Sequence, residues 1–164
     1  MEGQENKNIA RWPDFEKVKK EAEEFYSQAG EVLNPYLERK VVFNAKGREH
    51  LKFKSHGKAR SSGDQYERLK LLKYAPEVIR LSRTVQGFSR VKKFEINRSN
   101  HRNEKILTDV VYYEFVAVLR ERLRVRVVVK EIGSAPPFFW SIIPFWKKGK
   151  CGGPKINYGN PEED

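Results

Sequence analysis

The chain of 164 residues holds one cysteine, Cys151, and three histidines, His50, His56 and His101. A lone cysteine excludes an intramolecular disulfide and any zinc site built on cysteine pairs. Followed by two glycines, Cys151 reads as a tail residue without a chemical role. No apolar run approaches the roughly 18 to 20 residues of a membrane span, and the longest, 112–119 and 136–146, are strand-sized. Residues 1–11 are polar and hold no apolar segment of a secretion signal, so a cytoplasmic protein with a flexible leader and no membrane partner is expected. The patterns G-x-x-x-x-G-K-[ST], G-x-G-x-x-G and G-x-S-x-G are missing too. Their absence removes the main signatures of phosphate-loop NTPases, dinucleotide-dependent dehydrogenases and elbow-type hydrolases. Glu95, Asp109, Glu114 and Glu131 are spread too widely to make a metal-nuclease motif, so neither a metal nor a cofactor is expected.

What the chain does hold is positive charge. Thirty-three Lys and Arg face twenty-two Asp and Glu, a formal balance of +11, which points to a polyanionic partner, nucleic acid first. With 38% hydrophobic and 12% aromatic residues, it has the apolar content of a folded domain rather than of a charged tail. The length suits one domain, expected over 12–146, between the leader and a flexible Gly/Pro-rich tail at 147–164.

Helical spacing comes first along the chain. After Pro13, the residues Phe15, Val18, Ala22, Phe25 and Tyr26 share one helical stripe. Residues 41–43 and 51–53 flank Asn44 to Gly47, predicting a small hairpin or a strand running into a loop. Ser62 and Gln65 form a capping-box pattern before a helix through Tyr66, Leu69 and Leu72, and Pro76 restarts a further turn up to Leu81. From Gly87 the period changes to two, giving a strand at 88–97, a polar connection at 98–108 and an apolar strand at 109–119. In 122–132, Leu123, Val125, Val127 and Val129 alternate with Arg122, Arg124, Arg126 and Lys130, so one buried and one basic face are expected. An aromatic strand over 138–146 closes the order. The fold class expected is α+β, with N-terminal helices packed on an antiparallel sheet of about four strands and 110–119 at its centre.

Three groups of residues stand out for chemistry. His50 and His56 lie six apart within a run carrying Lys52, Lys54, Lys58 and Arg60, and in an extended segment they point the same way. Arg90, Arg124, Arg126 and Lys130 stand on strands as candidate phosphate contacts. Ser141 is a hydroxyl inside an apolar strand, where it must find a buried partner or face a site. His101, in the polar connection, reads as a surface residue. Trp140 and Trp146 could stack bases or belong to the core.

From Val41 to Arg60, through the helical stretch with Pro76 and the long strands, to Phe139-Trp140-Ser141-Ile142-Ile143-Pro144, the chain resembles the barnase, EndoU, colicin E5/D and RelE superfamily of small RNases. Its phage- and mobile-element-associated branch is the most similar. The resemblance implies a barnase/RelE-like fold and endoribonuclease activity without a metal, cutting RNA through a 2′,3′-cyclic phosphate. It also implies a toxin or mobile-element effector acting on single-stranded or structured RNA, tRNA included, and held by a cognate antitoxin or immunity protein. By position, the superfamily's early histidine corresponds to His50 and its last-strand hydroxyl to Ser141, with His56, Lys54 and Arg60 in support. Two other functions remain open: a nucleic-acid-binding module without catalysis, and a structural or assembly protein of a phage-like element.

Overall fold

The computed structural model describes residues 12, 14–99, 101–144, 146–148, 154–156 and 160–164, with backbone alone for 97, 99, 121, 146–148 and 154–156. The expected leader and Cys151 lie outside them.

Helix α1, Phe15–Ala29, buries Val18, Ala22 and Tyr26, a spacing of four that keeps one stripe on the core. A short hairpin follows, β1 Glu31–Asn34 and β2 Arg39–Val42. Helix α2, Ala45–His50, replaces the turn expected there, because Asn44 caps it by accepting the Gly47 N–H at 3.1 Å. Helix α3, Ser62–Leu71, starts one residue earlier than the capping pattern suggested: Ser61 is the cap and accepts from the Asp64 N–H. A 3₁₀ turn then leads into α4, Ala75–Leu81, with Pro76 in its first turn.

The long strands are β3 Gly87–Ser99, β4 Arg102–Val118, β5 Arg124–Ile132 and β6 Phe138–Pro144. The polar connection expected at 98–108 is instead the outer half of a hairpin: β3 and β4 pair in register from Gly87–Glu114 to Ser99–Arg102. It is polar because that half of β4 lies in solvent on both faces. The turn carries His101 in a left-handed conformation, φ 65°.

Six strands rather than four form the sheet, in the order β1-β2-β6-β5-β4-β3. All neighbours are antiparallel except β2 and β6, which run parallel and meet only at Val42 and Phe138. Residues 110–118 are flanked on both sides, yet the middle of the sheet is β6 and β5. The architecture is therefore α+β, with the helices on one face of a larger and mixed sheet. One core cluster joins helix residues such as Tyr26, Leu69, Leu72 and Ile79 to Val125, Val127, Val129, Phe139 and Ile142. A second, smaller cluster of Val110, Tyr112, Val128, Phe138 and Trp140 lies on the opposite face. The region expected to be a flexible tail contains a further hairpin, β7 Trp146–Lys148 with β8 Pro154–Ile156, and residues 160–164 docked on the sheet. Among the described residues, no helix is long and apolar enough to cross a membrane.

Candidate functional site

The site begins with an irregularity in β6. Val128 pairs with Ser141 and Val129 with Phe139, so Trp140 is an extra residue in the ladder. A bulge of this kind re-aims the side chains around it. Phe139 and Ile142 remain in the helix-side core while Trp140 joins the cluster on the other face. On β5, alternation places Arg126, Val128 and Lys130 on that same face, beside Ser141 and Trp140.

The helices supply the other half. Beyond Phe138, β6 has no strand partner on its outer side among the described residues, and α2 and α3 pack along it. A Cβ at Gly47 would run into the Phe139 carbonyl and the Tyr26 hydroxyl, so glycine permits this approach. It brings His50, at the end of α2, onto the Trp140 indole, with ring centroids 3.7 Å apart and planes 17° from parallel. The Lys130 ammonium lies 4.1 Å from the same indole. Trp140 is thus already engaged and is not a free stacking platform.

Arg60 donates from Nε to the His50 carbonyl at 2.8 Å, and its Nη2 lies 2.9 Å from His50 Nε2. Asp64, in the first turn of α3, pairs with Arg60 at 3.2 Å and with Arg68 at 2.7 Å. Arg68 also donates to the Ser141 hydroxyl. Arg126 pairs with Glu114 at 3.4 Å and Lys130 with Glu95 at 3.6 Å. The three guanidiniums, His50 and Ser141 are all buried.

Residues 160–164 fill the space these groups enclose. The Asn160 carbonyl accepts from the Glu163 and Asp164 N–H groups, and the Asn160 side chain accepts from Glu162 N–H, closing a compact turn. Trp140 Nε1 donates to the carbonyls of Pro161 at 3.0 Å and Glu162 at 3.2 Å. Arg60 donates to the Glu163 carbonyl at 2.7 Å. Arg68 and Ser141 both donate to the Asp164 main-chain oxygen, and His50 is hydrogen-bonded to the Asp164 main chain. Arg126 grips the Asp164 carboxylate at 2.5 Å, and Lys93 pairs with the Glu162 carboxylate. A cleft of about 490 Å³ beside His50 is lined by Lys46, Lys54, Lys130 and Trp140 and also by Glu49 and Glu95, and a smaller one, lined by Lys54, Arg60 and Arg68, borders the turn at Glu163 and Asp164.

Burial, then the charges of Arg60, Arg68 and Lys130, push the His50 imidazole from its ordinary 6.5 down to about 2, so it is neutral here. Burial likewise lowers the proton affinity of Lys130 and Arg68. Asp64 is held below the usual carboxylate range; burial acts to raise it, but Arg68 and Arg60 outweigh that.

Of the residues singled out from sequence, His50, Ser141, Arg60, Arg126 and Lys130 come together. His56 does not join them: it is exposed on a 3₁₀ turn with φ 69°, because the segment is a helix end and a turn rather than extended chain. Lys54 and Lys58 are exposed, and Lys52 pairs with Glu23 of α1. Arg90 and Arg124 are exposed on β3 and at the start of β5. The basic face of β5 is a correction, since Arg126 and Lys130 are buried rather than open. Sequence reasoning missed Arg68, Lys93 and the acidic turn. Arg60, Asp64 and Arg68 are spaced by four, and with Asp64 and Arg68 on α3 that spacing was a usable signal; Lys93 carried none. Among the described residues, no group of three or more His, Cys, Asp or Glu could hold a metal ion. Compared with family models, curated proteins and solved structures, the chain matches none.

Proposed function

We propose that this protein is a metal-independent endoribonuclease of the barnase/RelE-like kind, a toxin or mobile-element effector whose scissile phosphate binds where Asp164 now lies. One observation carries this proposal: an imidazole, a hydroxyl and a guanidinium converge on the Asp164 main-chain oxygen while a second guanidinium grips its carboxylate. Oxygen-rich, anionic and tetrahedral, a phosphodiester suits the same donors. The net positive charge supports an RNA partner, and an α+β architecture with a mostly antiparallel sheet is compatible with the resemblance.

In the proposed reaction the 2′-oxygen attacks the adjacent phosphorus and the bond to the 5′-oxygen breaks, leaving a 2′,3′-cyclic phosphate and a 5′-hydroxyl. His50 takes the 2′-hydroxyl proton on Nε2, the nitrogen that accepts from Arg60 while the 160–164 turn is docked, once Arg60 turns from the imidazole to the phosphate; an anion beside the imidazole raises its affinity for that proton. Lys130, its ammonium made more acidic by burial, gives a proton to the leaving 5′-oxygen. Arg68, Arg126 and Ser141 stabilise the charge that grows on the non-bridging oxygens.

Incubating the purified protein with total RNA and EDTA is the direct test. Fragments ending in 2′,3′-cyclic phosphate are expected, with His50→Ala slowing their release by on the order of 10²-fold or more. Fragments ending in 3′-hydroxyl would overturn the mechanism. No cleavage by either the wild type or a variant carrying Glu162→Ser, Glu163→Ser and Asp164→Ser, which frees the anion site, would overturn the activity. The burial of His50 favours a second proposal, RNA binding without cleavage. Under it, binding falls with salt, no fragments appear and His50→Ala leaves affinity unchanged.

A further inference from the structure

We infer that Glu162, Glu163 and Asp164 form an intrasteric plug: the acidic turn occupies the phosphate site, and RNA must displace it to bind. The inference rests on the anion site proposed above and adds its regulation.

Several observations point the same way. Each docking bond of the turn uses a main-chain oxygen or a carboxylate, the two groups that best imitate phosphate oxygens. Glu162 sits on Lys93 and Asp164 on Arg126, so the turn fills two anion positions. The turn is closed by its own hydrogen bonds to Asn160, which limits the entropy lost on docking. Arg126 Nε, fully buried, has no hydrogen-bond partner. Asp164 therefore leaves one donor unused, which the tetrahedrally spread oxygens of a phosphodiester, unlike a planar carboxylate, could engage.

The arrangement also has a thermodynamic consequence. A plug on the same chain competes at an effective concentration of order millimolar, so it suppresses weak, non-specific anions more completely than a strand that holds both positions and the bordering cleft.

The test compares three full-length proteins. One is the wild type, and one carries Glu162→Ser, Glu163→Ser and Asp164→Ser. The third carries Glu16→Gln, Glu24→Gln and Glu38→Gln, three exposed carboxylates away from the site, and controls for the change in net charge. Affinity for a short fluorescent 2′-O-methyl oligoribonucleotide, which lacks the attacking hydroxyl, reads the plug independently of catalysis. The plug-free variant should bind roughly tenfold tighter than the charge-matched control, equivalent to about 1.4 kcal/mol. A free peptide of the sequence Asn-Pro-Glu-Glu-Asp should compete at about millimolar concentration. Equal affinities of the plug-free and charge-matched proteins, or no competition by the peptide, would overturn the inference. If the triple variant loses its circular dichroism signature, Glu162→Gln with Asp164→Asn keeps the turn and its main-chain bonds. That pair should still show a gain over a matched control carrying Glu16→Gln and Glu24→Gln, and none would overturn the inference. Cleavage of ordinary RNA is scored separately. Tighter binding without cleavage keeps the plug and defeats the ribonuclease, whereas cleavage with no difference in binding does the reverse.

Discussion

His50 ties stability to pH in a way that no other residue of the site does. Its imidazole is neutral in the folded chain, with a pKa of about 2, whereas the ordinary value is 6.5. Between those values the unfolded chain binds one more proton at this position, so stability rises with pH across the window. The contribution is fully present above pH 6.5 and is lost as the pH falls, by up to about 1.4 kcal/mol per unit. Glu23 and Asp64, whose carboxyls are held below their ordinary 4.5 and 3.8, add their own losses only at lower pH. From pH 6.5 to 4.5 the slope therefore belongs mainly to His50. Urea unfolding across that interval should show a steep fall for the wild type and a nearly flat line for His50→Gln; an unchanged slope in the variant would mean that His50 is protonated in the native state. His50 and Ser141 were legible as candidates from the resemblance, and Arg126 and Lys130 from alternation along one strand. Lys93 was not, because what makes it part of the site is contact with a residue 69 positions away, and Arg68 offered only its spacing of four from Asp64, with its contact to Asp164 hidden 96 positions along the chain.

The placement of α2 against β6 decides whether His50 reaches Trp140 at all. Gly47 lies where that helix touches the strand, with the Phe139 carbonyl and the Tyr26 hydroxyl occupying the room a side chain would need. Gly47→Ala should lower stability by roughly 1–3 kcal/mol, the usual cost of overpacking. The denaturant midpoint should fall with the m-value unchanged. An unaltered midpoint would show that the contact yields easily. The same stretch explains a limit of pattern reading. Asn44 to Gly47 have turn chemistry, and the asparagine serves equally well as a helix cap; the choice falls to tertiary packing on β6. Period-two alternation identified 122–132 as a strand because one face of it meets the core and the other the docked turn, whereas in 88–97 the apolar Phe88, Phe94 and Ile96 are exposed and the half-buried side carries Ser89, Lys93 and Glu95. It failed for the outer half of β4, where neither face is buried and hydrophobic alternation has nothing to report. The bulge at Trp140 was invisible for a similar reason, since the run around it is apolar on both sides of the insertion.

At the scale of the whole molecule, the excess of 11 positive charges is distributed unevenly between two kinds of cation. Arg60, Arg68, Arg126 and Lys130 are buried and each faces a carboxylate. Their effect is local and weakly screened, because salt does not enter their surroundings. Lys46 and Lys54 are exposed on the rim of the cleft beside His50, and Lys54 borders the smaller cleft as well. Under the proposed function, a strand entering the site would pass these two first. Counterion release then makes the logarithm of affinity fall linearly with the logarithm of salt concentration, with a slope of about −0.7 for each phosphate neutralised on a single strand. Lys46→Ser and Lys54→Ser should each make that slope shallower by about 0.7. Thermal stability should stay as it is, since exposed side chains contribute little to it. Arg80→Ser is the comparison: that side chain is exposed on α4, a helix packed on β1 and β4 rather than on β6. Binding isotherms for a labelled single-stranded RNA at a series of salt concentrations decide the matter. If Arg80→Ser changes the slope as much as Lys54→Ser does, RNA is held by diffuse attraction to the whole surface, and the cleft beside His50 is not its path.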